Sequence, residues 1–164
     1  MMKTAQLIFS SGIAAVLLTV AGCASDGCLN NRNSIPLAGF YSSQTHEPVT
    51  VAALTVAGDG APGDSMLLNN EAASQVYLPF RANADEVTFG FSVAIDVGVM
   101  TDQLTFAYRT MPYFDNADCG AMYRYLITSV DFNGALIDSV GIVDSLVTNV
   151  ETERIKIYFH GAPQ

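Results

Sequence analysis

The sequence predicts an all-β domain, an immunoglobulin-like β-sandwich of about 7–8 strands behind a short apolar leader, and three observations carry that prediction. Val87, Phe89, Phe91, Val93 and Ile95 alternate with Thr88, Gly90, Ser92, Ala94 and Asp96, and the alternation returns at Leu104, Phe106 and Tyr108 and at Ile155, Ile157 and Phe159. Successive side chains of a strand point to opposite faces, so a period of two gives one buried and one exposed face. After the leader no segment sustains the 3.6-residue period of an amphipathic helix. Finally, Asn133-Gly134 separates two apolar runs, and both residue types tolerate the positive φ of a type I′ turn, so a hairpin is expected there.

The elements follow in chain order. Met1-Met2-Lys3 precedes an apolar run from Leu7 to Val20, shorter than the roughly 20 residues that span a bilayer. The run ends at Val20-Ala21-Gly22-Cys23, which resembles the lipobox of bacterial lipoproteins. That resemblance implies a signal peptide over residues 1–22, cleavage before Cys23, and lipid on its thiol and amine, palmitate among the acyl groups. Two or more chains suffice for stable anchoring. The alternative is an ordinary secretory signal cut elsewhere. Residues 23–33 (CASDGCLNNRN) are small and polar, a brief tether, and residues 34–164 are expected to form a single domain. Strands are expected at Ile35–Ser42, Val49–Val56, Ser74–Phe80, Val87–Ile95, Leu104–Tyr108, Met122–Phe132, Leu136–Val143 and Ile155–Phe159, each rich in β-branched or aromatic residues and bounded by turn formers. Pro79 lacks a donor for a ladder and marks an edge or a strand end.

Lys3 is the sole charged residue of the first 22, so the rest of the chain carries 6 cations against 16 acids. Such a chain has no basic stripe to neutralise phosphates, which excludes nucleic acid as a partner, and it is repelled by anionic membrane surfaces, so lipid must do the anchoring. Half the residues are hydrophobic and 14% charged, a composition that disfavours disorder. If Cys23 becomes a thioether, Cys28 and Cys119 are left either as a disulfide or as two buried thiols. The oxidising envelope favours the bond, which in the chain-entropy picture contributes up to about 4–5 kcal/mol.

The second cysteine soon after Cys23, Ile35-Pro36-Leu37-Ala38-Gly39-Phe40-Tyr41, Tyr77-Leu78-Pro79, the Asp102-to-Tyr108 strand, Cys119-Gly120 and the closing Ile155-Lys156-Ile157-Tyr158-Phe159 come in an order that resembles a family of short, uncharacterised Bacteroidota lipoproteins. The resemblance implies a cell-envelope lipoprotein with a compact β domain and an outer-membrane β-barrel protein as partner. It transfers no catalytic residue. Surface-displayed lipoproteins of such bacteria often carry an acidic pair just after the lipid cysteine. Here Asp26 stands alone within Ala24-Ser25-Asp26-Gly27, which favours an outer-membrane anchor facing the periplasm.

Candidate chemistry is sparse. Gly63-Asp64-Ser65-Met66-Leu67 resembles the nucleophile block of the serine hydrolases named for Gly-Asp-Ser-Leu, but Ile157 stands where that family places an Asp before its catalytic histidine, here matched to His160. A Gly/Pro/Asp turn over Asp59–Ser65 is the preferred account. His46 and His160 belong to no ligand-spaced motif. Asp59 and Asp64, with Asp115, Asn116 and Asp118, offer hard oxygens for a weak calcium alternative, without EF-hand spacing. The chain is therefore read as non-enzymatic, with no cofactor. Met111-Pro112-Tyr113-Phe114 reads as an apolar turn after a strand. Exposed, Met111, Tyr113 and Phe114 would form a partner-binding patch; folded back, Tyr113 and Phe114 would plug the end of the sandwich. The expected role is a binding or assembly module for an outer-membrane partner, or alternatively a small-ligand or glycan-binding lipoprotein.

Overall fold

The computed structural model describes residues 33–60, 65–96, 98–114 and 120–161. No helix occurs among them. Ten strands follow in order: β1 (Leu37–Ser42), β2 (Val51–Gly58), β3 (Met66–Ala73), β4 (Gln75–Tyr77), β5 (Glu86–Ile95), β6 (Gly98–Phe114), β7 (Ala121–Phe132), β8 (Ile137–Ile142), β9 (Leu146–Val147) and β10 (Glu153–Phe159). They form a four-stranded sheet, β4-β1-β10-β8, and a six-stranded sheet, β3-β2-β5-β6-β7-β9, arranged as a sandwich. All pairings are antiparallel except that of β1 with β10, the first and last strands, which run parallel at the centre of the smaller sheet.

The alternating residues line the core as their period requires. Phe89, Phe91, Leu104, Phe106, Ile155, Ile157 and Phe159 are all buried. Phe159 bridges the layers, meeting Phe40 edge-on with centroids 5.3 Å apart and reaching Phe91 of the other sheet at 6.4 Å. Such interlocked rings bury large apolar areas and add pairwise attraction to the burial itself.

The eight strands read from the sequence all occur, and two more join them. Strand β3 carries Asn69-Asn70-Glu71, poor β-formers, and survives as an edge strand with one partner, its register against β2 broken repeatedly. Asn70 takes a φ of 50° there, and its N–H donates to the Thr55 hydroxyl at 3.0 Å. Strand β9 is two residues long, paired with Tyr125 and Leu126 of β7.

Two expectations are corrected. Asn133-Gly134 does not close a hairpin, because β7 and β8 lie in different sheets. Gly134 takes its positive φ of 82° in a crossover, where the buried carboxylate of Asp102 captures the N–H groups of residues 135–137 and turns the chain into the second sheet. The Cys28–Cys119 disulfide is not borne out: no disulfide stands among the described residues, and Cys23, Cys28 and Cys119 lie outside them. The start of the described chain is held on the domain by backbone pairing, since β1 is hydrogen-bonded to β10 on one side and β4 on the other.

Candidate interaction site

Strand β6 is 17 residues long, but β5 covers it only from Gly98 to Ala107. Strand β7 follows it to the end, with Phe114 opposite Ala121. Strand β9 still flanks β7 at Tyr125 and Leu126, opposite Thr110 and Arg109, so from Met111 to Phe114 the two strands run on alone as an arm where the sequence predicts an apolar turn. Tyr, Phe and Met favour extended backbone, and Pro112, which lacks an N–H, is tolerated because the arm has a free edge. The loop before β5 braces its base: the Tyr108 N–H donates to Asp85 O at 2.8 Å and the Thr110 hydroxyl to Ala84 O at 3.4 Å.

Alternation then sorts the arm into two faces. Tyr108, Thr110, Pro112 and Phe114 continue the phase of the core residues Leu104 and Phe106, and Tyr123 lies opposite Pro112. Past the edge of the core this face is bare: Phe114 is 65% exposed and Tyr123 43%. On the opposite face Met111 and Tyr113 are half-buried, and the Arg124 guanidinium lies over the Tyr113 ring, 3.3 Å from its centroid. Met111, Tyr113 and Phe114 thus share one arm but not one surface, and none plugs the sandwich.

Phe80 is the plug. Its ring stacks on Tyr108 at 4.5 Å and meets Tyr125 edge-on at 5.6 Å. The Tyr108 hydroxyl accepts from the Arg81 N–H and donates to the Arg81 carbonyl, both at 3.0 Å. Burial is the main reason the phenol pKa values of Tyr108 and Tyr125 lie above the ordinary value; these hydroxyls act as neutral hydrogen-bonding groups. Beside the plug, between the incoming segment Asn33–Ile35 and the start of β7, opens a cleft of about 350 Å³ lined by Pro79, Phe80, Tyr123 and Tyr125.

The other singled-out residues do not converge. Ser65 immediately precedes β3 of the larger sheet, while His160 follows β10 on the smaller one with its Nδ1 3.3 Å from Asp138. His46 packs edge-on against Tyr158. Asp59 sits in the turn after β2, its N–H donating to Thr88 O and its carbonyl accepting from Arg81. Asp64, Asp115, Asn116 and Asp118 lie outside the described residues. Among the described residues no group of three or more His, Cys, Asp or Glu is placed to hold a metal ion.

The most consequential polar side chain, and one that no motif marks, is Asp102. It stands in phase with Leu104, Phe106 and Tyr108, and that phase, an acid on a buried stripe, was the available signal.

Comparison with protein families gives one match: the model described as "Family of unknown function (DUF6452)" covers residues 53–159, more than half of the chain, from within β2 to the end of β10. No curated protein and no solved structure matches.

Proposed function

The chain belongs to the DUF6452 family of unknown function, and from that premise we propose that it is a non-enzymatic cell-envelope lipoprotein, a binding or assembly module for a partner in the outer membrane. In this reading residues 1–22 are a cleaved signal, Cys23 carries the lipid, residues 34–164 are one immunoglobulin-like module in the broad sense, and the anchor faces the periplasm. The observation that carries the role is the β6–β7 arm, a two-stranded extension with aromatic side chains bare at its end. Exposed aromatics on a rigid ribbon supply large contact area at little entropic cost, as interface anchors do. Tethering adds the rest, because a domain held at the membrane meets partners in that membrane at raised effective concentration.

The cleft beside Phe80 favours the second reading, a small apolar ligand or glycan held against Tyr123 and Tyr125. Aromatic-lined clefts of a few hundred Å³ are of a size for small ligands.

The test is purification of the full-length protein from mildly solubilised native membranes, with Cys23→Ser and with Tyr113→Ala plus Phe114→Ala in parallel. The expected result is a stoichiometric membrane partner that disappears in both variants while the thermal melting of the domain is unchanged. A partner that persists in the arm variant removes the arm from the role. A wild-type monomer free of partners, whose melting rises with an envelope glycan, transfers the role to the cleft.

A further inference from the structure

We propose that the free edge of β8 is a strand-acceptor site: it takes an extended segment of a partner protein that alternates apolar with polar residues and carries Lys or Arg at its ends. This goes beyond the arm reading and uses other residues. Two sheets have four edges, and among the described residues three of them are blunted. Strand β4 has three residues with Pro79 soon after it, and β9 has two. Strand β3 meets β2 in a register broken three times, with Asn70 at positive φ and Glu71 beside it. Short length, proline, bulges and charge keep a strand edge from pairing further. Strand β8 shows none of them from Ser139 to Ile142: its register on β10 is unbroken there, and the strand contains neither Pro nor Lys.

The backbone of β8 is set to accept a strand. The Val143 N–H donates to Arg154 O at 2.8 Å, and alternate residues of an antiparallel ladder direct their backbone groups to opposite sides. Ser139 and Gly141 therefore bond β10, while Val140 and Ile142 turn their N–H and C=O groups to the open side. The Ile137 N–H is taken by Asp102, so the free run starts beyond the crossover. The side chains of Val140 and Ile142 are partly buried at the margin of the core, and Val143 beyond them is 56% exposed. In the other sheet β9 covers β7 at Tyr125 and Leu126, and Phe132, opposite the buried Leu104, is 37% exposed. A strand added to β8 brings alternate apolar side chains to this margin, and main-chain hydrogen bonds with such alternate contacts are the source of affinity and specificity in strand addition. Charge chooses the occupant. From Asn133 to Val150 there is no Lys or Arg, and Asp138 and Asp144 flank the free run. Although His160 and Arg154 touch them, these two acids keep 39% and 49% of their side-chain surface exposed. Full overlap of β8 with a second copy, centred on Gly141, sets Asp138 opposite Asp144 in both halves, and like charges directly opposite destabilise a ladder, whereas a Lys or Arg of another chain in either place stabilises it.

Full-length protein in mild detergent is titrated into a fluorescein-labelled short peptide that alternates valine and threonine between terminal lysines, read by fluorescence polarisation. Two further peptides run in parallel, one with aspartates in place of the lysines and one N-methylated at alternate residues. The expected result is saturable binding of the lysine peptide, binding of the aspartate peptide weaker by about fivefold or more, and none of the N-methylated peptide. Val140→Pro deletes an outward N–H, which an edge strand tolerates, and is expected to abolish binding while circular dichroism shows the domain folded. If that variant unfolds, Asp138→Lys carries the test and is expected to reverse the preference between the lysine and aspartate peptides. Binding that both variants leave unchanged, or no binding of any peptide, overturns the site. Equal binding of the lysine and aspartate peptides overturns the stated chemistry of the partner. Sedimentation of the protein alone as a dimer that Val140→Pro dissolves overturns the proposal in favour of a second copy.

Discussion

The carboxylate of Asp102 accepts hydrogen bonds from three consecutive backbone groups, the N–H of Ala135, Leu136 and Ile137, at 3.0, 2.8 and 2.7 Å. Asp102 is 2% exposed, so those bonds stand in for its lost hydration, and charge-assisted bonds of this kind are the stronger sort. Its chemistry explains the route of the chain: three donors aimed at one point need an acceptor with several lone pairs, and a carboxylate offers about four. Asp102→Ala leaves the buried Leu136 and Ile137 N–H groups unpaired and frees that of Ala135, at an expected cost of about 3–5 kcal/mol, and Asp102→Asn, which keeps one acceptor oxygen, about 1–3 kcal/mol. Urea unfolding monitored by circular dichroism measures both. A loss below about 0.5 kcal/mol for the alanine variant would mean that water takes over the site.

At the scale of elements the arm and its plug divide labour between two phenylalanines. Phe80 is 8% exposed and packs on Phe106, Tyr108 and Tyr125, whereas Phe114 is 65% exposed. Phe80→Ala is expected to cost about 3–5 kcal/mol through lost burial and a residual cavity, and Phe114→Ala no more than about 0.5 kcal/mol. Equal losses in denaturant titrations would place Phe114 over the core in solution. The contrast also marks how far the sequence was legible. A period of two identifies strands with a buried face, so β5, the core half of β6 and β10 were plain in the residues. It does not say how far a strand runs past its neighbour, and so Met111–Phe114 read as a turn. Strand β3 was hidden for the opposite reason, its Asn69-Asn70-Glu71 being held by one partner rather than by β-propensity. Asn133-Gly134 misled because turn chemistry reports a local φ, while the choice of sheet is made by Asp102, far upstream on β6.

Over the whole molecule the decisive contact joins the two ends of the described chain. Strands β1 and β10 pair side by side from Leu37 with Glu153 to Ser42 with Phe159, and the Tyr41 hydroxyl adds hydrogen bonds to both Glu153 carboxylate oxygens across a separation of 112 residues. Contacts this distant in sequence carry a loop-closure cost before they return any energy, so refolding is expected on the millisecond-to-second scale typical of all-β sandwiches. The same closure ties the start of the described chain to its end by backbone pairing alone. A bridge between Cys28 and Cys119 would have closed a loop of about 90 residues and contributed about 4–5 kcal/mol, equivalent to a melting shift of roughly 10 °C or more in a domain of this size. With that bridge not borne out, the β1·β10 pairing carries the closure. The melting temperature of the purified protein is expected to agree within about 1 °C with and without excess thiol reductant, and Cys119→Ser to match wild type. A drop approaching 10 °C under reductant, absent in Cys119→Ser, would show that a disulfide shares the load now assigned to the β1·β10 pairing and the layered phenylalanines beneath it.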